Sequence, residues 1–397
     1  MASEKHACML LIIILSICAI RITCASTSTQ WLQKAEVYNG WYSQWDDEHL
    51  AQMHGISFVI GVPPDKAIID KAHKAGIRVL PYVTFYQAPS NQIYQHADIA
   101  EHPDWTMILS DGKEALSIFA EAQGSDNRPE WRAVCRNSPG YWKYALKFTK
   151  FMMEQGVDGI FVDNVFDDPN VCEGPKFGRH QHKFPDKDHY QVYHEFLKAV
   201  RAEVKKFGDD KILIANTCGP HPQLADVCDG EMLESYICTW AEDHRWHDEA
   251  AVLNLREAWS PVLERGCQVL TLSYLGHTKN PVREDAFYCY AWVRISGFIW
   301  ADWFTGGKDS SILFKLRLGK PVAPMETGEG YYARKFERGL AVVSSENRGA
   351  DLTLGADEYP RLYDVFEARH LKPNSSGRYE VKLGPGQGRV FLLLSAD

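Results

Sequence analysis

Two acidic side chains close short apolar runs in a way that suits acid–base chemistry. Asp163 follows Ile160, Phe161 and Val162, a run too short for a helix and right for a parallel strand buried on both faces. Glu231 and Glu234 fall in the stretch from Val227 to Tyr236, two strands later. In parallel α/β proteins the active site gathers at the C-terminal ends of the strands. Carboxylates on alternate strands would face each other across that mouth. Cleavage of a glycosidic bond needs such a pair: one attacks or stabilises the oxocarbenium centre and the other protonates the leaving oxygen. Asp163 takes the nucleophile role and Glu234 that of general acid/base, with a pKa raised by burial and by the neighbouring negative charge. Residues three apart on a strand face opposite ways, so Glu231 competes with Glu234. Glu234 is preferred because it lies nearer the strand end, and Glu231 is kept among the substrate-binding candidates.

Other strand ends supply polar and aromatic groups for the same mouth. Asn39 and Trp41 end the first strand, Tyr82 lies late in the third, Asn164 follows Asp163, Asn216 ends the fifth, Tyr274 the seventh and Asp302 the eighth. Trp240, Trp300 and Trp303 sit at or just beyond strand ends. With 12 Trp, 18 Tyr and 18 Phe, the chain has flat surfaces to spare for the C–H faces of pyranose rings. Core packing is the ordinary role for any single one of them. The expected binding set is Asn39, Trp41, Tyr82, Asn164, Asn216, Glu231, Trp240, Tyr274, Trp300 and Asp302. Asp158 lies before its strand and is expected to cap or bridge at the opposite, stability face.

The elements that must carry these residues follow a regular rhythm. Proline before a first turn and glycine after a last one bracket several helices: Pro63 with Gly76, Pro139 with Gly156, and the helices closed by Gly208 and Gly266. Apolar runs at 56–61, 77–85, 159–163, 212–216, 227–236, 268–274 and 298–302 alternate with them. About eight strand–helix units over roughly 280 residues match a (β/α)8 barrel. A doubly wound sheet is disfavoured because no Gly-rich phosphate loop follows the first strand. Tyr86 to Asn137 is a long polar insertion, of the kind that is usually functional. From Gly328 onward short strand-like runs separated by turns replace the helical pattern, which reads as a small antiparallel β-sandwich. The expected division is a leader over 1–25, a barrel over 26–325 and the β-domain over 326–397.

Composition narrows the partners. A formal net charge of -9 over 397 residues argues against nucleic acid. The apolar run from Ala7 to Ile20 after Lys5, with Thr23-Cys24-Ala25 behind it, reads as a cleaved secretory signal, and no later segment is apolar enough to span a bilayer. The protein is therefore expected outside the cell, with no membrane attachment after cleavage. Asn374-Ser375-Ser376 is an N-glycosylation acceptor. Seven of the ten cysteines lie beyond the leader, scattered and without Cys-x-x-Cys spacing. His180-Gln181-His182 and Asp243-His244-Arg245 read as solvated loop residues. No metal and no cofactor is expected.

A resemblance adds to this reading. Cys135-Arg136-Asn137-Ser138-Pro139-Gly140-Tyr141, then Gly156-Val157-Asp158-Gly159-Ile160-Phe161-Val162-Asp163, with His102-Pro103-Asp104-Trp105 and Asp111-Gly112-Lys113 upstream, resemble the barrel glycoside hydrolases of the hypothetical glycosyl hydrolase type. These are related to the α-galactosidase, α-amylase and endo-α-1,4-polygalactosaminidase groups. Asp229-Gly230-Glu231-Met232-Leu233-Glu234 resembles the segment in which such families place their acid/base. The resemblance implies Asp163 as nucleophile and Glu234 as acid/base. The expected activity is hydrolysis of an α-linked oligo- or polysaccharide, with retention expected over inversion; the two outcomes correspond to carboxylates ~5–5.5 Å or ~6.5–9.5 Å apart. A carbohydrate-binding barrel without turnover is the competing reading, and a barrel enzyme using a carboxylate as a proton-transfer base is a third.

Overall fold

A computed structural model describes residues 30–40, 45–86, 101–116, 132–165, 171–217, 219–239, 246–275, 282–301 and 311–394. The apolar runs fold as short parallel strands: β1 (Tyr38–Gly40), β2 (Phe58–Ile60), β3 (Arg78–Leu80), β4 (Tyr82–Thr84), β5 (Gly159–Asp163), β6 (Ile212–Asn216), β7 (Gly230–Glu234) and β8 (Gln268–Leu272). They pair in chain order as β1-β2-β3 and as β4-β5-β6-β7-β8. Pro81, which has no N–H to give a ladder, separates β3 from β4. Both pieces nevertheless meet β5, since the Asp158 N–H donates to Val79 O and the Phe161 N–H to Pro81 O.

Beyond β8 the pairing continues through residues 299–300. Thr271 N donates to Ile299 O and Ile299 N to Val269 O, while Tyr38 N donates to Trp300 O and Trp300 N to Glu36 O.

A two-residue period divides the strand side chains. Tyr38, Phe58, Leu80, Phe161, Ile214, Met232, Leu270 and Ile299 share one buried cluster. Val59, Val79, Ile160, Val162, Leu213, Leu233, Val269 and Trp300 belong to a larger one that also holds the buried helix residues. Members of β1 and β8 meet in the first cluster, and the Tyr38 hydroxyl donates to Thr271 O at 2.9 Å.

The covering helices begin and end where capping residues dictate. Helix α1 is Gln30–Gln33, α2 Asp47–Gln52, α3 Lys66–Lys74, α4 Pro139–Glu154, α5 His189–Lys205, α6 Glu249–Glu264, α7 Arg283–Ser296 and α8 Ser311–Lys315. Ser138 accepts from the Tyr141 N–H to cap α4, and Asp188 forms a capping box with Gln191 at α5. Gly156, at φ 94°, follows α4 in the left-handed region that glycine enters freely. In the insertion, Trp105 stacks on His102 with ring centroids 3.8 Å apart and lies against the start of α4. A Cβ on Gly140 would stand 2.7 Å from the Trp105 Nε1, which explains why that helix opens Pro-Gly.

The first antiparallel strand begins at Glu326. A six-stranded antiparallel sheet and a two-stranded one, Ala350–Gly355 with Arg378–Leu383, follow. Leu340 and Val342 of the larger sheet share a core with Leu352, Val381 and Leu383 of the smaller, giving two packed layers. Helix α7 lies against this unit: Arg334 donates to Ile295 O at 2.9 Å and Tyr288 to Glu346 at 3.0 Å. Among the described residues no helix is long and apolar enough to cross a membrane.

Candidate active site

Asp163 is the last residue of β5 and Glu234 the last of β7. Asn216, at the end of β6 between them, donates from its Nδ2 to Asp163 Oδ1 at 2.8 Å and to Glu234 Oε2 at 2.7 Å. Those two bonds keep the carboxylate oxygens no more than about 5.5 Å apart, by the triangle inequality. The Tyr82 hydroxyl donates to Asp163 Oδ2 at 2.5 Å, and the Asn164 amide to the same oxygen at 3.1 Å. The Tyr274 hydroxyl donates to Glu234 Oε1. Five side chains carried on, or just beyond, the five successive strands β4 to β8 thus form one hydrogen-bonded chain: Tyr82, Asp163, Asn216, Glu234, Tyr274. Both carboxylates remain partly exposed, so solvent or a ligand reaches them.

The backbone turns sharply just past each acid. Asn164 has φ 55° and Ser235 φ 62°, left-handed conformations that are uncommon for residues with a Cβ and that concentrate at functional sites. Burial, with the Glu234 carboxylate nearby, pushes the Asp163 pKa up to about 6. The raised carboxyl of the pair therefore includes the residue expected as nucleophile. Hydrogen bonds from Tyr82, Asn216 and Asn164 act the other way and favour its ionised form.

Residues 71–340 match the model of hypothetical glycosyl hydrolase family 15, more than half of the chain. The chain belongs to this family. Solved structures of similar fold include a debranching enzyme from Nostoc punctiforme (TM-score 0.57, 13% identity, covering 92% of this chain and 99% of that one). Others are an α-amylase from Geobacillus thermoleovorans complexed with acarbose (0.55, 13%, 92% and 99%) and a family 27 β-L-arabinopyranosidase from Geobacillus stearothermophilus (0.56, 10%, 94% and 99%). At such identities the likeness is one of fold, that of barrel glycoside hydrolases with a C-terminal β-domain. No curated protein sequence matches the chain.

In this family member three of the expected binding residues lie elsewhere. Trp300 is fully buried in the helix-side cluster. Asn39 alternates with the inward Tyr38 and turns its Oδ1 back onto the Gly40 N–H at 2.7 Å. Glu231 is fully buried, on the opposite parity from Glu234. Its Oε2 accepts from the His221 N–H at 3.0 Å and from Thr217 at 3.3 Å, and burial pushes its pKa up to about 7. Position at a strand end drew attention to all three, and side-chain parity removes them. Trp41, Trp240, Asp302, Trp303 and the 243–245 loop lie outside the described residues.

Asp158 bridges the other end of its strand as expected, accepting from Val79 N at 3.0 Å and pairing with His73 at 2.7 Å. The reading of scattered cysteines and a bare His-x-His fails in space. Cys135, Cys172, His180 and His182 converge on one point, a set whose sequence signal was the short spacing from Cys172 to the two histidines.

Proposed function

We propose that the chain is a secreted, retaining glycoside hydrolase acting on an α-linked glycan, with Asp163 as nucleophile and Glu234 as general acid/base. The observation that carries this is the Asn216 amide shared by the two carboxylates. It holds their nearest oxygens at or below about 5.5 Å, short of the ~6.5–9.5 Å that admits a water between acid and base, and so favours a double displacement. In the first step Asp163 attacks the anomeric carbon while Glu234 gives its proton to the departing oxygen. In the second, Glu234 takes a proton from water, which displaces Asp163. Tyr82 and Asn164 hold the attacking carboxylate in place, and Tyr274 fixes the plane of Glu234.

We read the strand pairing from Tyr38 round to Trp300 and back as a closed (β/α)8 barrel whose mouth holds this pair. The α linkage rests on the resemblance to α-galactosidases and α-amylases, and the saccharide substrate on the family. Secretion rests on the N-terminal apolar segment, and Asn374 stands exposed, as glycan attachment requires.

The test is a screen of the full chain on α-linked oligo- and polysaccharides and aryl α-glycosides, with the product anomer followed by NMR. Hydrolysis with retained configuration is expected. Glu234→Gln should lower kcat on substrates with poor leaving groups about 10²–10⁴-fold, and Asp163→Asn should abolish turnover. Undiminished hydrolysis in either variant would remove the assignment, and binding without turnover in the parent chain would make it a carbohydrate-binding barrel.

A further inference from the structure

We propose that Cys135, Cys172, His180 and His182 form a structural zinc site. The proposal is independent of the hydrolase reading. One ligand atom from each residue lies within 4.8 Å of every other. Cys135 Sγ stands 3.6 Å from His182 Nε2, and Cys172 Sγ 3.5 Å from His180 Nε2. Zinc binds thiolate at ~2.3 Å and imidazole at ~2.0–2.1 Å, so the sulfur–nitrogen edge of a tetrahedron around it is about 3.6 Å. Both contacts have that length.

The surroundings fit a charged ligand set. The Ile108 and Gly174 N–H groups both point at Cys172 Sγ, at 3.5 and 3.4 Å, the kind of amide support that a metal-bound thiolate takes. A Cβ on Gly174 would fall 2.3 Å from the His180 Cε1, so only glycine there lets the imidazole reach the cluster. Cys135 and His180 are buried, and Cys172 and His182 partly so. Two thiolates balance a divalent charge, and sulfur with imidazole selects zinc over the oxygen-seeking magnesium and calcium. Four protein ligands complete a tetrahedron with no open position, the pattern of a structural site.

The ligands come from two places. Cys135 precedes α4, whereas Cys172, His180 and His182 belong to the stretch between β5 and α5. The ion would fasten the segment that leaves Asp163 to the segment that opens α4. Asn137 already links the same two segments, donating to Phe184 O and accepting from Phe184 N, each at 2.9 Å.

The experiment is metal analysis of the purified full chain by mass spectrometry, followed by chelation and refilling with cobalt(II). One zinc per chain is expected, with a fall in Tm on chelation that zinc reverses. The cobalt form should show sulfur-to-cobalt charge transfer and the intense visible bands of a tetrahedral site. Cys172→Ser and His182→Ala should each lose the metal. If those variants fail to fold, the metal content and cobalt spectrum of the parent chain decide alone. A chain that binds no zinc and keeps its Tm when zinc is added would overturn the proposal. So would a Cys135–Cys172 disulfide found by peptide mapping.

Discussion

Under the proposed mechanism, stability and activity pull in opposite directions at Asp163. Its carboxyl is raised from an ordinary 3.8 to about 6 by burial and by Glu234. Between those two values the folded chain holds a proton that the unfolded chain has released, so stability falls as pH rises through that window. Asp163→Asn removes the buried charge, and its Tm should exceed the parent's at pH 7 by an amount equivalent to at most about 3 kcal/mol. The difference should fade toward pH 4; a gain of equal size at both pH values would contradict it. As the proposed nucleophile Asp163 works only when ionised, so kcat/KM should fall as pH drops below about 6. Tyr82→Phe deletes the 2.5 Å hydrogen bond to this carboxylate. A pH–rate profile should then show the acid limb moved to higher pH and a lower plateau.

The two strands that carry the acids are built alike. Each opens with Asp-Gly, ends five residues after that aspartate in an acid, and passes into a left-handed residue: Asp158 to Asp163 and Asn164, then Asp229 to Glu234 and Ser235. The opening aspartate accepts a backbone N–H from the preceding strand, Val79 for Asp158 and Leu213 for Asp229, at 3.0 and 2.9 Å. The glycine lets the next strand close in, since a Cβ on Gly159 would stand 2.3 Å from Ile212 O. Gly159→Ala should therefore cost at least about 2 kcal/mol by denaturant titration. Gly156→Ala meets no neighbour within 4 Å and bears only its φ of 94°, so it should cost about 1 kcal/mol. Much at this scale was legible in the chain. The glycines after helices and the opposite faces taken by Glu231 and Glu234 follow from local geometry. Trp300 and Asn39 were misplaced because nearness to a strand end was weighed without counting which face each residue takes. The Cys–His cluster was hidden because Cys135 lies on a different loop from its partners, and only the fold brings the two loops together.

At the scale of the molecule, the N-terminal segment is held by the far end of the chain. Glu36 is buried and accepts the Leu318 and Gly319 N–H groups, each at 2.8 Å, with Arg294 3.4 Å away. Glu36→Ala leaves two amides without their acceptor and takes the carboxylate away from Arg294, which keeps Phe298 O and Gly319 O as acceptors, and should cost about 3–5 kcal/mol. Differential scanning calorimetry would check this, and a loss below about 1 kcal/mol would show the clamp to be idle. Next to that clamp, Tyr38 hydrogen bonds to Trp300. A ribosome must deliver the polypeptide as far as Trp300 before Tyr38 meets its second neighbour. Until then the nascent chain carries raw strand edges, the surfaces by which unfinished proteins stick to one another. A message cut short just before that codon should yield a product that chaperones retain and proteases clear.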